Sequence, residues 1–169
     1  MKYSYLFLFL LFLYACKGQD GYVSRHENNG DEVITVKSED EAMNAAIAKA
    51  VNTFPEFLKV LNEPDSSNRA FTVKRKFTYT EDDGGVEHMW LTDLHFKGDK
   101  LFGVLDSDPI HISWIQPGDS LEIKIDSVSD WMYVRNDKLV GGYTLRALYE
   151  KMSEKEKKEL ASQLDFKIE

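Results

Sequence analysis

A chain of 169 residues with 29 acidic against 21 basic side chains and a formal charge of −8 offers little to a phosphate backbone, so nucleic acid is excluded as a partner. Its hydrophobic fraction of 43% and aromatic fraction of 12% are those of a folded chain with one ordinary core. Cys16 is the single cysteine, which rules out an internal disulfide and leaves the folded part without a thiol.

Met1 and Lys2 open onto an uncharged apolar run over residues 5–14. That run is shorter than the roughly 20 residues a membrane-spanning helix needs. A positive start, an apolar centre and a small residue, Ala15, before the cut are the layout of a signal peptide over residues 1–15. Leu13, Tyr14, Ala15 and Cys16 resemble a bacterial lipobox, which implies a lipid on the Cys16 sulfur and attachment to a membrane. The expected location is the cell envelope, outside the cytoplasm, and Lys17 in place of an aspartate after the cysteine points to the outer membrane.

Residues 16–37 are polar, glycine-bearing and without clear periodicity, and read as a flexible tether; Val33, Ile34, Thr35 and Val36 form either a brief strand or a lead-in to a helix. Ser38 followed by Glu41 fits a capping box and opens the single folded domain, residues 38–169. Ala42, Met43, Ala46, Ile47, Ala50 and Val51 then recur at helical spacing. Pro55 predicts a kink or break, with a short second helix through Phe57 and Leu61.

From Ala70 the period becomes two. Phe71, Val73, Phe77 and Tyr79 share one parity and Thr72, Lys74, Lys76 and Thr78 the other, which is a strand with one buried face; Arg75, on the apolar parity, extends its head to the edge. A hairpin loop over 81–85 leads to a returning strand over 86–96, a turn over 97–100 and a third strand over 101–105. A fourth strand carries Leu121, Ile123 and Ile125, and a fifth runs from Asp130 to Arg135. Met132 and Val134 are apolar on one parity while Trp131 and Tyr133 occupy the other, so both faces of that strand meet covered surroundings, with Trp131, Tyr133 and Trp90 as structural anchors. After Gly142 the pattern is helical again, and Ser153 with Glu156 forms a second capping box. The fold class is α+β: a strongly bent antiparallel sheet of about five strands in meander order, with an N-terminal helix and C-terminal helices packed against it.

The helical stretch 42–61 with its Pro55, Glu56, Phe57 break, then Glu87, His88, Met89, Trp90, Leu91, then Pro117, Gly118, Asp119, then Asp130, Trp131, Met132, Tyr133, and finally Gly141, Gly142, Tyr143, Thr144, Leu145, Arg146 together resemble the YegJ-like family of bacterial domains of unknown function. The resemblance runs from about residue 40 to about residue 148 and implies no activity and no catalytic residue.

Chemistry is sparse. His26, His88, His95 and His111 lack the spacing of zinc ligands, and no metal or cofactor is expected. Gly141 and Gly142 before a helix, with Thr144 and Arg146 as side-chain donors, form the candidate ligand site, suited to an anion; the plainer reading is a tight turn with Thr144 as the helix cap. Glu87 beside His88 is the alternative site, for a hydrolase using that pair or His88 with an aspartate. The missing catalytic constellation favours a non-catalytic envelope module that binds a protein, a peptide or a cell-wall component.

Overall fold

The computed structural model describes residues 23–28, 31–36, 41–63, 65–80 and 84–169. The apolar run, Cys16 and the capping serine Ser38 lie outside the described residues. Where a tether was expected, β1 (Val23–Asn28) and β2 (Asp31–Val36) pair antiparallel as a two-stranded sheet of their own. The sequence carries a strong short hairpin signal here, with Val23 on one side and the β-branched run Val33, Ile34, Thr35, Val36 on the other flanking an Asn29-Gly30 pair.

Helix α1 (Glu41–Asn62) is continuous through Pro55, so the expected break is corrected. Phe54 and Phe57, on either side of the proline, are both buried and stack with centroids 5.6 Å apart. Phe57 also lies 5.1 Å from the Trp131 ring. Keeping both aromatic rings on the core offsets the one backbone bond a proline removes.

The main sheet has six strands: β3 (Asn68–Tyr79), β4 (Gly85–Lys97), β5 (Lys100–Leu105), β6 (Ser120–Ile123), β7 (Val128–Arg135) and β8 (Lys138–Gly141). Every pairing in it is antiparallel, and helices α2 (Tyr143–Glu150) and α3 (Glu154–Gln163) follow, giving the α+β class. The order is β6-β5-β4-β3-β7-β8, so the meander holds from β3 to β6 and fails at β7, which returns beside β3. The strand β8 was not foreseen. It arises because Asn136 and Asp137 both adopt positive φ, the requirement of a tight two-residue hairpin turn.

The return of β7 dictates the curvature. In a flat sheet β6 and β7 would lie about 19 Å apart at ~4.8 Å per strand. The link between Ile123 and Val128 reaches at most about 17 Å even when extended. It is shorter still here, because Ile125–Ser127 forms a 3-10 turn that lifts Ile125 out of the expected fourth strand and exposes it. The sheet therefore curls until Arg75 on β3 donates from Nη1 to the Glu122 carbonyl on β6 at 3.0 Å.

Two cores result. On one face α1 contributes Ala50, Phe54 and Phe57 against Val73, Phe77, Leu91, Trp131 and Tyr133. On the other, Met132, Val134 and Leu139 meet Phe166, with Trp90, Leu145, Leu164 and Ile168 packed around them. The edge of β8 is sealed by the chain after α3: Leu139 N–H donates to the Lys167 carbonyl and Lys167 N–H to the Asp137 carbonyl. The capping box at Ser153 forms in both directions with Glu156. Among the described residues, no helix is long and apolar enough to cross a membrane.

Candidate functional site

The strand-to-helix corner at residues 130–146 is built around a carboxylate. Asp130 is fully buried. Its two oxygens accept from the backbone N–H groups of Trp131 (2.8 Å), Tyr143 (3.1 Å) and Thr144 (2.8 Å), and from the Thr144 hydroxyl (2.6 Å). Burial pushes the Asp130 carboxyl above its ordinary range, opposed by the Thr144 hydroxyl bond, the charge of Lys74 and the backbone donors. Gly142, in left-handed geometry, takes the N-cap position and has no side chain to offer, so the neighbouring strand caps α2 instead. Thr144 thus donates to Asp130 rather than capping the helix itself.

Gly141 is required for a separate reason: a Cβ at its positive φ would run into the Trp131 carbonyl and ring. Arg146 donates from Nε to the Gly141 carbonyl (2.8 Å), from Nη2 to the Leu139 carbonyl (2.7 Å) and from Nη1 to the Glu169 carbonyl. The structure thus brings Gly141, Gly142, Thr144 and Arg146 together, with the Thr144 and Arg146 donors turned onto acceptors of the chain itself. Trp131, 4% exposed, anchors the corner by donating from Nε1 to the Ala50 carbonyl of α1 at 2.9 Å, and its ring meets Tyr143 edge-on at 5.6 Å.

Glu87 and His88 do not converge. As neighbours on β4 they point to opposite faces. The Glu87 carboxylate accepts from the backbone N–H groups of Ile110 and His111, pinning the loop after β5. His88 is exposed as a residue, yet its ring is crowded. That desolvation, followed by the charges of Lys74 and Lys76, holds the imidazole at about 4. Trp90 lies on the same face as His88, with the Lys74 ammonium 5.2 Å from its ring centroid. Among the described residues, no cluster of three or more His, Cys, Asp or Glu is placed to hold a metal ion.

The site that sequence reasoning missed lies along the second half of β3. A groove of about 400 Å³ is lined by Arg75, Lys76, Phe77 and Thr78 on one side and by Lys124, Asp126 and Ser127 on the other, with Trp114 over it. Trp114 is 62% exposed and its ring is tilted against Phe77 at 6.3 Å. The loop that carries it is held at the Glu87 contact, by His111 stacked on Tyr79 at 4.8 Å, and by Gly118 N–H donating to the Leu105 carbonyl of β5 at 2.9 Å. The Arg75 guanidinium carbon sits 4.4 Å from the Phe77 ring centroid, and Arg75 Nε, buried, has no hydrogen-bond partner among the described residues. The groove thus combines an exposed indole with three cations and one carboxylate. The available signal was a tryptophan in a loop bounded by Pro109 and Pro117, where a core residue would be out of place.

Residues 40–167 match the family described as "Uncharacterized protein conserved in bacteria (DUF2314)". The chain is 35% identical over 134 residues to the uncharacterized protein YegJ of Escherichia coli strain K12, covering 79% of this chain and 84% of that one. It is also 35% identical over 136 residues to a putative ankyrin repeat protein of Neisseria meningitidis serogroup B, covering 77% of this chain and 54% of that longer one. No solved structure matches.

Proposed function

Because the chain belongs to the uncharacterised bacterial family DUF2314, whose name carries no activity, we propose its function from its own surface: a non-catalytic binding module for a protein, peptide or cell-wall component, held at the cell envelope by a lipid on Cys16, with the outer membrane as its destination. One observation carries the binding reading. Trp114 is a large, exposed aromatic side chain on a loop that is tied to the sheet at the Glu87, Tyr79 and Leu105 contacts, so its surface is preorganised and costs little ordering entropy to use. Tryptophan and arginine, here Trp114 and Arg75, are also the residue types enriched in interaction hot spots.

The Neisseria relative, 54% of which is covered by the shared region, carries the name putative ankyrin repeat protein, and ankyrin repeats present extended binding surfaces. The envelope assignment rests on the Leu13, Tyr14, Ala15, Cys16 stretch alone. Capture from native envelope, comparing the parent protein with Trp114→Ala at matched expression, tests the binding reading. The parent should retain partners or wall fragments that the variant loses, and identical captured sets would refute it. Cys16→Ser should abolish fatty-acid labelling; a labelled variant overturns the anchor.

A further inference from the structure

Strand β3 is paired on both sides over only part of its length. Its pairing with β4 runs to Tyr79↔Gly85, but its pairing with β7 stops at Arg75↔Val128, where β7 begins. Among the described residues no strand lies beside β3 past that point on the β7 side; the 3-10 turn Ile125–Ser127 approaches β3 there, and the groove lies between them.

The direction of the unused backbone groups follows from the strand period. Ser129 donates from Oγ to the Lys74 carbonyl, which therefore points toward β7. The register of β3 with β4 is unbroken from Val73 to Tyr79, so N–H and C=O groups two and four residues on, at Lys76 and Thr78, point the same way. Both residues are exposed. They present the row of unpaired donors and acceptors of a sheet edge, in the middle of a curled sheet rather than at its rim.

We propose that this edge takes an acidic peptide by strand addition, resting on the binding reading above and specifying its mode. Main-chain bonds to Lys76 and Thr78 supply the affinity, and alternate side chains of the added strand supply the specificity. Those on one side meet Phe77 and Trp114 and should be apolar. Those on the other meet Lys76 and should be carboxylates. Charge decides the class of peptide: the groove's lining sets Arg75, Lys76 and Lys124 against one carboxylate, Asp126, with the Glu122 charge also acting on Arg75, which leaves the groove positive on a chain of net charge −8.

The test uses the full chain and a blocked heptapeptide alternating glutamate and valine, with amide hydrogen exchange read residue by residue. Added peptide should slow exchange at Lys76 and Thr78 at least tenfold while leaving Lys74 unchanged. It should bind about tenfold more weakly to Lys76→Glu, and a lysine–valine heptapeptide should not bind. The same peptide N-methylated at alternate residues should lose the protection, which controls for variants that fold poorly. No binding at millimolar peptide overturns the proposal, as does protection of both amides before any peptide is added, which would mean that a segment of the chain already fills the edge. Binding that changes Trp114 fluorescence without protecting Lys76 and Thr78 overturns strand addition while leaving the binding module intact.

Discussion

The two halves of β3 are in opposite circumstances. Up to Arg75 the strand is paired with β7, joined on its other side by β4 from Val73 on, with α1 over one face and the chain after α3 over the other, and its neighbour Asp130 collects four donors. Beyond Arg75 it keeps β4 alone, and the backbone of Lys76 and Thr78 opens on a groove. Glycines before a helix, a threonine and an arginine look like a receptive site when only the residues are known. In the fold Asp130 and three carbonyl groups take up the Thr144 and Arg146 donors. Receptivity is found instead where a pairing stops early.

The largest loss of stability is expected at Trp131. Trp131→Ala removes a buried ring and its bond to α1, and should cost about 3–5 kcal/mol, a large share of the roughly 5–15 kcal/mol of a whole domain. Urea denaturation measures it, and a loss below about 1 kcal/mol would mean that the paired half is not where stability resides. Next in size is the capping carboxylate. Asp130→Asn should cost about 1–3 kcal/mol by weakening acceptance from buried donors. A double-mutant cycle with Thr144→Val should show a coupling of at least ~0.5 kcal/mol. Additive effects would dissolve the corner as a unit.

His88 makes stability depend on pH. Its imidazole is held at about 4 in the fold against 6.5 in an unconstrained chain, so between these values the unfolded state binds the extra proton. Stability from this group is complete above 6.5 and is lost as pH falls toward 4. The ring protons should titrate near 4 by NMR, and His88→Gln should flatten the acid limb of the stability curve over that window. A midpoint near 6.5 would show that the ring is solvated and uncrowded. The smallest effect on stability belongs to Trp114. Trp114→Ala should shift it by no more than about 0.5 kcal/mol in thermal melts, despite being the change with most effect on binding.

What the sequence disclosed followed periodicity. Alternation over 70–79 and 121–123, helical spacing over 42–51 and the Ser153–Glu156 box each depend on neighbours in the chain, and the α+β class followed from them. What it withheld were decisions made by distant residues. Pro55 argues for a break, and only the pairing of Phe54 and Phe57 against the sheet shows why the helix continues. Ile125 continues an alternating pattern, but the short link to β7 turns it out of the strand. The groove depends on where β7 starts relative to β3, a register that no local pattern encodes.

Asp130 and Trp131 are adjacent in the chain, yet they close loops of very different length. The bonds of Asp130 to Tyr143 and Thr144 span 13 and 14 residues, while the Trp131 bond to Ala50 spans 81. Loop-closure entropy rises with the logarithm of length, so the longer closure costs about 1.5 kcal/mol more before any contact repays it. The segment from β7 through α2 can therefore assemble as a local nucleus while α1 is still undocked. By loop length alone the buried carboxylate should close before the tryptophan beside it docks α1, an order that φ-values at Thr144 and Ala50 would check.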